Sequence, residues 1–412
     1  MINRMKVVLL VLLAAVPGVV HGAGFSLYEW SARGNAMGGA VLANKAEPAS
    51  IAANPALITK LEGTQVQAGL MLINVSAKTE VDGEARKTED KMFVVPDFYL
   101  TGKMSDNVYF GLGVFSRFGL GETYRDYEDW IGSISAYYSS LETLSVNPNI
   151  AVKINGDLSF AMGLEAMTLN FKEKKYMKAS YIPTIPVASE LFLQGDSISW
   201  GGNFAAYYNP SFAKEWAAAL TYRTKVRHVA KGKVEGSNVF ASAAGDASAA
   251  LILPDSLSFG LSFTPTEKLV FEADIIGTFW SSYNKLKLDY DDDRQSNAEP
   301  KNYKNVARVQ FGTEYSINKN WDIRAGYTFD KSPINENHMD TLVPAHDRNV
   351  FSAGAGFHKN KWGADISYTY LSAADFSGKG EIIGRNGQPR EVKISYSDSS
   401  SSIIGINVKY AF

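Results

Sequence analysis

Cysteine is absent from the 412 residues. That excludes disulfides, thiolate nucleophiles, Cys-ligated zinc and iron–sulfur clusters together. Net charge is nearly absent too, with 41 Lys and Arg against 43 Asp and Glu, a formal charge of −2. A chain so balanced has no global basic field, so nucleic acid is not an expected partner. Histidine is scarce at five residues, and His228, His338, His346 and His358 show no metal-ligand or triad spacing. No metal or other cofactor is expected. Also missing, past the leader, is any apolar run near the ~20 residues a spanning helix needs. What is abundant is aromatic and small: 22 Phe, 21 Tyr and 35 Gly, within a 45% hydrophobic composition too apolar for disorder. Mean hydropathy is near zero. It fits a soluble protein, and equally a barrel whose strands turn every second residue to lipid.

The first segment reads as an address. Arg4 and Lys6 form a positive start, Val7 to Val16 an apolar run about ten residues long, and Pro17-Gly18 breaks it. Small residues before Ala23 complete the pattern of a cleaved secretory signal over 1–22. The run is too short for a membrane anchor. An exported chain follows, and strand periodicity decides what kind.

Trp321, Ile323, Ala325, Tyr327 and Phe329 alternate with Asp322, Arg324, Gly326 and Thr328. Ala307, Val309, Phe311, Tyr315 and Ile317 do so against Arg308, Gln310, Gly312, Glu314 and Ser316, and the run from Trp362 to Tyr370 repeats the pattern. Period-two patterning of this length predicts strands. Strands are expected near 65–74, 92–104, 108–118, 141–154, 158–171, 197–208 and 216–231. Seven more fall near 256–264, 269–280, 305–317, 321–329, 349–357, 362–371 and 402–412, fourteen in all. Short polar turns such as Asn155-Gly156-Asp157 alternate with long connections at 119–140, 172–196, 232–255, 281–304 and 372–401. A soluble sandwich has no reason to alternate loop lengths, whereas an outer-membrane barrel has short periplasmic turns and long external loops. Trp216, Trp321 and Trp362 fall at one end of their strands and Tyr327, Tyr368 and Tyr370 at the other, as two aromatic girdles would. The closing Ile404, Ile406, Val408, Tyr410 and Phe412 are a terminal strand of the kind barrel-assembly machinery reads. The predicted fold is all-β, a 14-stranded antiparallel transmembrane barrel over 65–412 in the bacterial outer membrane.

Residues 23–64 do not alternate and are rich in small residues. An even strand number puts both termini on the periplasmic side, so this segment can fold inside as an N-terminal hatch. Gly34-Asn35-Ala36-Met37-Gly38-Gly39 lacks the flanking strand of a phosphate loop, and close packing on the wall explains its glycines better.

The start Ala23-Gly24-Phe25, the stretch Ser31-Ala32-Arg33-Gly34 and Asn54-Pro55-Ala56-Leu57-Ile58-Thr59 resemble the long-chain fatty-acid transporter family of the bacterial outer membrane (FadL/TodX type). So do Leu220-Thr221-Tyr222-Arg223, Leu253-Pro254, Phe329-Asp330-Lys331-Ser332-Pro333 and the closing Tyr410-Ala411-Phe412, in the same order along the whole mature chain. The resemblance implies a passive, monomeric transporter of fourteen strands with a hatch, and no enzyme. It places cationic head-group receptors at Lys175 and Lys304, although two solvated loop lysines would look the same. It also implies a kinked third strand at Phe118, Gly119 and Leu120, opening the wall beside a gate at Asn54, Pro55 and Ala56. Glycine in a strand favours such a bend, Asn54 can bond exposed backbone there, and Pro55 stiffens the turn.

Apolar cargo gains nothing by entering a water-filled pore, so it needs a greasy landing site and an apolar path. Ile182, Ile185, Leu191 and Phe192 in the loop over 181–193 offer an external capture surface, or else close the mouth by packing on each other. A second small-residue amphipathic stretch lies at 239–253. The expected partners are a long-chain fatty acid, or an aromatic hydrocarbon or other hydrophobic small molecule, with outer-membrane lipid and lipopolysaccharide around the barrel. A barrel phospholipase would need a Ser partner for His228, the one histidine within a strand. Asp289 to Asp293 is not a calcium loop, since Arg294 and Pro300 stand where Gly and Glu belong. A general porin, whose lumen would be lined by charge rings, and an adhesin, whose loops would be longer and more polar, are the competing readings.

Overall fold

The computed structural model describes residues 24–181, 187–292, 296–344, 346–384 and 388–412. The expected signal at 1–22, Ile182 and Ile185 lie outside the described residues. The first β segments are β1 (Thr64–Val81), β2 (Glu84–Lys87), β3 (Lys91–Lys103), β4 (Val108–Phe115), β5 (Gly119–Thr123), β6 (Tyr138–Lys153) and β7 (Leu158–Met177). They are followed by β8 (Ser189–Tyr208), β9 (Trp216–Arg223), β10 (Val226–Gly236), β11 (Gly245–Leu253), β12 (Ser256–Thr266), β13 (Leu269–Thr278) and β14 (Lys285–Tyr290). The last are β15 (Asn297–Pro300), β16 (Val306–Ser316), β17 (Trp321–Asp330), β18 (Arg348–Lys359), β19 (Trp362–Ala373), β20 (Phe376–Ile383) and β21 (Pro389–Ala411). β4/β5, β9/β10 and β11/β12 are each one wall strand with an interruption, and β2, β14, β15 and β20 belong to connections. The wall is thus a 14-strand antiparallel ring, closed where β1 pairs with β21 from Gln65–Ala411 to Val81–Ile394. Among the described residues no helix is long and apolar enough to cross a membrane.

Alternation sorts the faces as expected. Ile323, Phe351, Ile366 and Ile406 are exposed on the outside, while Glu314, Arg324, Asp365 and Asn407 are buried inside. Several strands run longer than their sequence pattern. β7 and β8 take most of 172–196, β10 and β11 narrow the connection predicted at 232–255, and β21 begins at Pro389. These extensions carry residues such as Lys172, Lys174, Glu190 and Asp196 on strands with water outside them, where no lipid demands an apolar face. The alternation therefore fades although the ladder continues.

The lumen is filled by 24–63. Helix α1 (Ala32–Ala36) touches β17, β18, β19, β21 and β1, and the 3-10 turn Pro55–Lys60 touches β4, β6, β7 and β8 on another side of the ring. Between them α2 (Ser50–Ala53) is fully buried. Little of this segment is regular, so its backbone groups need partners at membrane depth. The wall supplies them from its inward polar side chains. Asp274 accepts Val41 N at 3.0 Å and Glu272 accepts Ala43 N at 2.6 Å. Arg223 donates to the carbonyls of Ile51 and Ala52 at 2.8 and 2.7 Å, Thr328 to Gly38 O at 2.5 Å, and Asn407 accepts Ala32 N. Gly38 sits at φ +64° against the wall at Gly326, where a Cβ on Gly326 would collide with the backbone of Met37 and Gly38.

One ionic network ties segment to wall. Arg33 reaches Glu314 at 2.9 Å, and Lys45 reaches the same carboxylate at 2.5 Å. Arg324 bridges Glu314 at 2.6 Å and Asp365 at 2.7 Å. All but Lys45 are buried. Removing one member of a buried pair leaves an uncompensated charge and costs about 3–5 kcal/mol. The variant Arg324→Met should therefore lower the temperature at which the folded barrel loses its fast gel mobility, whereas an outward change such as Ile323→Val should leave it within a degree or two.

Candidate functional site

One part of the wall lacks its ladder. β3 pairs with β1 from Lys91–Val75 to Gly102–Thr64, but with β4 only from Phe98–Val114 to Lys103–Tyr109. β5 pairs with β6. Among the described residues, the edges of 91–97 and 119–123 have no ladder between them. The opening is tied at one end by the Phe98–Val114 pair, and at the other by the Thr88–Tyr124 bridge and Glu89 N donating to Thr123 O at 2.7 Å. Pro96, with no N–H to leave unpaired, lies on this edge.

A cavity of about 610 Å³ occupies the place, within the ~300–1,000 Å³ of small-molecule sites. It is lined by Phe93 and Val95, which face inward, and by Met92 and Val94, which face outward and are 53% and 59% exposed. The cavity thus touches both faces of β3 at the place where the wall lacks its ladder. Its inner end is lined by Arg308, Val343, Arg348 and Ile403.

The third wall strand bends here because β4 stops at Phe115 and β5 resumes at Gly119. The three residues between leave the sheet and pair with the N-terminal segment instead. Leu27 N donates to Arg117 O at 2.7 Å and Gly119 N to Phe25 O at 3.0 Å, flanking a Ser26–Phe118 bridge. Trp30 Nε1 donates to Ser116 O at 3.0 Å, and the Thr143 hydroxyl both donates to Phe118 O at 2.7 Å and accepts Phe118 N at 3.1 Å. The Phe25 ring lies 4.6 Å from Trp280 and 6.2 Å from Phe118. It lines the large cavity and also a small apolar void of about 30 Å³ beside Leu169, Leu251 and Tyr303. Phe25, Leu120, Leu141 and Val343 line both, and together form the partition between the two spaces. Gly24 makes the approach possible, since a Cβ there would strike Trp280.

Residues 13–412 match the family described as outer membrane protein transport protein (OMPP1/FadL/TodX). The chain belongs to this family. It is accordingly a protein of the bacterial outer membrane. It is 25% identical over 443 residues to the long-chain fatty acid transport protein of Salmonella typhi, covering 99% of this chain and 98% of the relative. With outer membrane protein P1 of Haemophilus influenzae it shares 24% over 468 residues, covering 100% and 99%. The fold matches the crystal structure of a Pseudomonas aeruginosa FadL homologue at TM-score 0.82 and 18% identity, over 96% of this chain and 100% of that one. It matches the Pseudomonas putida toluene transporter TodX at TM-score 0.74 and 18% identity, over 94% and 99%.

In this family member the predicted site residues separate. Phe118, Gly119 and Leu120 line the cavity at the bend. Asn54 bonds elsewhere than expected: its amide donates to Leu42 O at 2.7 Å and its carbonyl accepts Ala56 N at 3.0 Å. It caps the 3-10 turn in which Pro55 is the first residue and Ala56 the second, a cap followed by a proline with no N–H to satisfy. The bend's backbone is taken by Phe25, Leu27 and Trp30 instead. Lys175 and Lys304 are absent from the cavity lining, and both ammonium groups face carboxylates. Lys175 lies 2.7 Å from Glu299 and 3.1 Å from Glu173, and Lys304 lies 2.6 Å from Glu336. Burial would raise the Glu299 carboxyl, but Lys175 and Lys301 hold it well below the usual carboxylate range. The hydrogen bond from Lys304 lowers Glu336 likewise. Leu191 is buried under the loops, while Phe192, its neighbour on β8 and so on the opposite face, is half-buried beneath Lys174. His228 does have a Ser partner, Ser197 Oγ at 2.9 Å, but the imidazole is fully buried and lines no described cavity. The residues that sequence reasoning passed over are Ser26, Leu27 and Thr143, whose only signal is position.

The capping role of Asn54 can be measured. Losing an N-cap costs about 1 kcal/mol, and the Leu42 carbonyl loses its donor as well. In Asn54→Ala the amides of Ala56 to Lys60 should exchange about tenfold faster, with barrel gel mobility unchanged. Unaltered exchange would mean that the wall alone holds the turn.

Proposed function

We propose that this protein takes up hydrophobic compounds passively, long-chain fatty acids above all, and releases them sideways into the membrane. The single observation that carries the reading is the cavity that touches both faces of β3 where the ladder is missing. A ligand in that cavity has apolar contacts on the way out and never re-enters bulk water. No energy source is required, because the bilayer is the lower-energy solvent for an acyl chain. The full-length likeness to fatty acid transport proteins supports the cargo, and uptake of an aromatic hydrocarbon is the competing reading favoured by the likeness to TodX.

In this reading the movable piece is the strip Phe25–Leu27, and the segment around it serves as hatch. Releasing the strip breaks two backbone hydrogen bonds, worth roughly 0.5–1.5 kcal/mol net each. It also withdraws the Phe25 side chain from burial, about 1.5–3 kcal/mol. Burying acyl chain returns about 0.8 kcal/mol per methylene. A long chain therefore covers the displacement with fewer than half its methylenes, which a short one does not. Ligand entering the small void behind Phe25 would push the partition aside and join it to the cavity that crosses the wall.

Ser26 and Phe118 form a non-hydrogen-bonded antiparallel pair, whose Cα atoms stand about 4.5 Å apart, within disulfide range. In a chain without cysteine, Ser26→Cys with Phe118→Cys allows a single defined crosslink. Oxidised protein in the outer membrane should take up oleate at least tenfold more slowly than the same protein reduced, with the barrel folded in both states. Equal rates in the two states would rule out this strip as the gate. Uptake of toluene and not oleate by wild-type protein would move the cargo to the hydrocarbon class.

A further inference from the structure

The chain between Asp330 of β17 and Arg348 of β18 does not stand out from the barrel as an external loop would. It folds down into the mouth, where Ile334, Met339, Thr341, Leu342 and Val343 are buried. Among the fourteen wall strands β6 is the fourth and β17 the eleventh, so the two stand on opposite sides of the ring. Residues 339–344 nevertheless reach β6. The Ser139 hydroxyl donates to Leu342 O at 3.2 Å, and the Thr341 hydroxyl donates to Ala136 O at 2.6 Å just before that strand. Tyr396 and Ser399 of β21 donate to Asp340 O at 2.5 Å and Pro344 O at 3.1 Å, and Tyr124 donates to Thr341 O at 3.1 Å. The segment is a strap laid across the mouth.

Its ties are of a kind that can be undone. One parallel bridge joins Met339 to Gly380, with backbone bonds on either side of it. The remaining ties named here are single side-chain contacts, not a ladder. Asp340 lies 2.7 Å from Lys301, but Lys301 also has Glu299 at 3.2 Å, so lifting the strap does not strand the buried ammonium. The other ion pair, Glu336 with Lys304, is exposed on both sides and holds little. Beneath the strap lie the two spaces of the transport path. Leu342 and Val343 line the small void with Phe25, while Val343 and Pro344 line the large cavity.

We propose that residues 336–344 are a lid that shuts the path towards the outside, latched by Asp340 on Lys301 and by Thr341 on Ala136. This rests on the reading of the cavity as the transport path and adds a second gate to it. The strap springs from the external ends of β17 and β18, so it bars the void and the cavity from the external side. An acyl chain arriving from outside wedges beneath Leu342 and Val343, and its own apolar burial replaces theirs. Val343 of the strap and Phe25 of the strip meet at the partition, one leaf towards the medium and the other towards the membrane. Two leaves admit cargo without a path that stands open from water to lipid.

The natural chain has no cysteine, and Thr341 N donates to Ser135 Oγ at 3.4 Å, so Ser135→Cys with Thr341→Cys brings two thiols within reach. Joined directly or by a short bis-methanethiosulfonate linker, they pin the strap to the wall. Cells carrying the pinned protein should take up oleate at least tenfold more slowly than after reduction, with heat-dependent gel mobility unchanged. The reduced form has lost the Thr341 hydroxyl and should match or exceed wild type. A second variant needs no crosslink: Asp340→Asn with Thr341→Val should make Val343→Cys react with an impermeant maleimide at least tenfold faster than Val343→Cys alone. Equal uptake by the pinned and reduced forms, or labelling no faster without the latch, would overturn the lid and leave the transport path standing. Wild-type protein that takes up no hydrophobic compound would overturn both.

Discussion

The structure depends on one constraint: irregular backbone at membrane depth must find every hydrogen-bond partner within the protein. Residues 24–63 form only short helical turns, too short to satisfy themselves. Wall side chains do the satisfying, and this decides which residues the strands can carry on their inner faces. Asp274, Glu272, Arg223, Thr328 and Asn407 each bond backbone of the segment. A water-filled lumen could tolerate many polar residues at those positions. A filled one needs a donor or an acceptor at a stated place, which is why the inner face mixes both charge signs at close range.

The opening in the wall follows from the same constraint. A strand that bends inward exposes its own N–H and C=O groups, and around Phe118 those groups are met by Phe25, Leu27, Trp30 and Thr143. The segment is thus not a stopper laid across a finished hole. Bend and strip complete each other's ladders. In the transport reading proposed above, that coupling gives a gate its two arrangements: the strip paired with the bend, or the strip displaced by a ligand whose apolar burial offsets the lost bonds.

What the sequence made legible was the wall. Lipid on one side and a packed lumen on the other impose a period of two, so fourteen strands could be counted and Trp321, Ile323 and Tyr368 assigned to the outer face. Where lipid ends, the signal ends, and the strand extensions through Lys172–Lys175 and Glu190–Asp196 read as loops. The bend was implied by the family resemblance, with Gly119 as its local sign. The partner of the bend was not, because Ser26 and Leu27 contribute backbone, and backbone carries no residue-type signature. Asn54 misled for a related reason: its side chain suits any nearby carbonyl or amide, and the cap three residues wide won over the bend across the lumen. Lys175 and Lys304 misled because a cation's availability depends on its carboxylate neighbours, which come from 124 and 32 residues away.

Charge compensation then separates the mouth from the interior. Beneath the external loops, Lys175 and Lys301 are shared among Glu173, Glu299 and Asp340, with Lys301 lying 2.7 Å from Asp340. Burial would lower the Lys301 ammonium, but Asp340 and Glu299 hold it charged, well above its ordinary value. The two cations are thus matched by carboxylates from other elements, and this cluster braces the loops. Deeper in, the balance reverses, with Arg308 and Arg348 sharing Asp330 alone. At both levels the paired groups come from different elements, Lys175 of β7 with Glu299 of β15 and Arg348 of β18 with Asp330 of β17, so breaking one bridge strands a charge and loosens two elements at once.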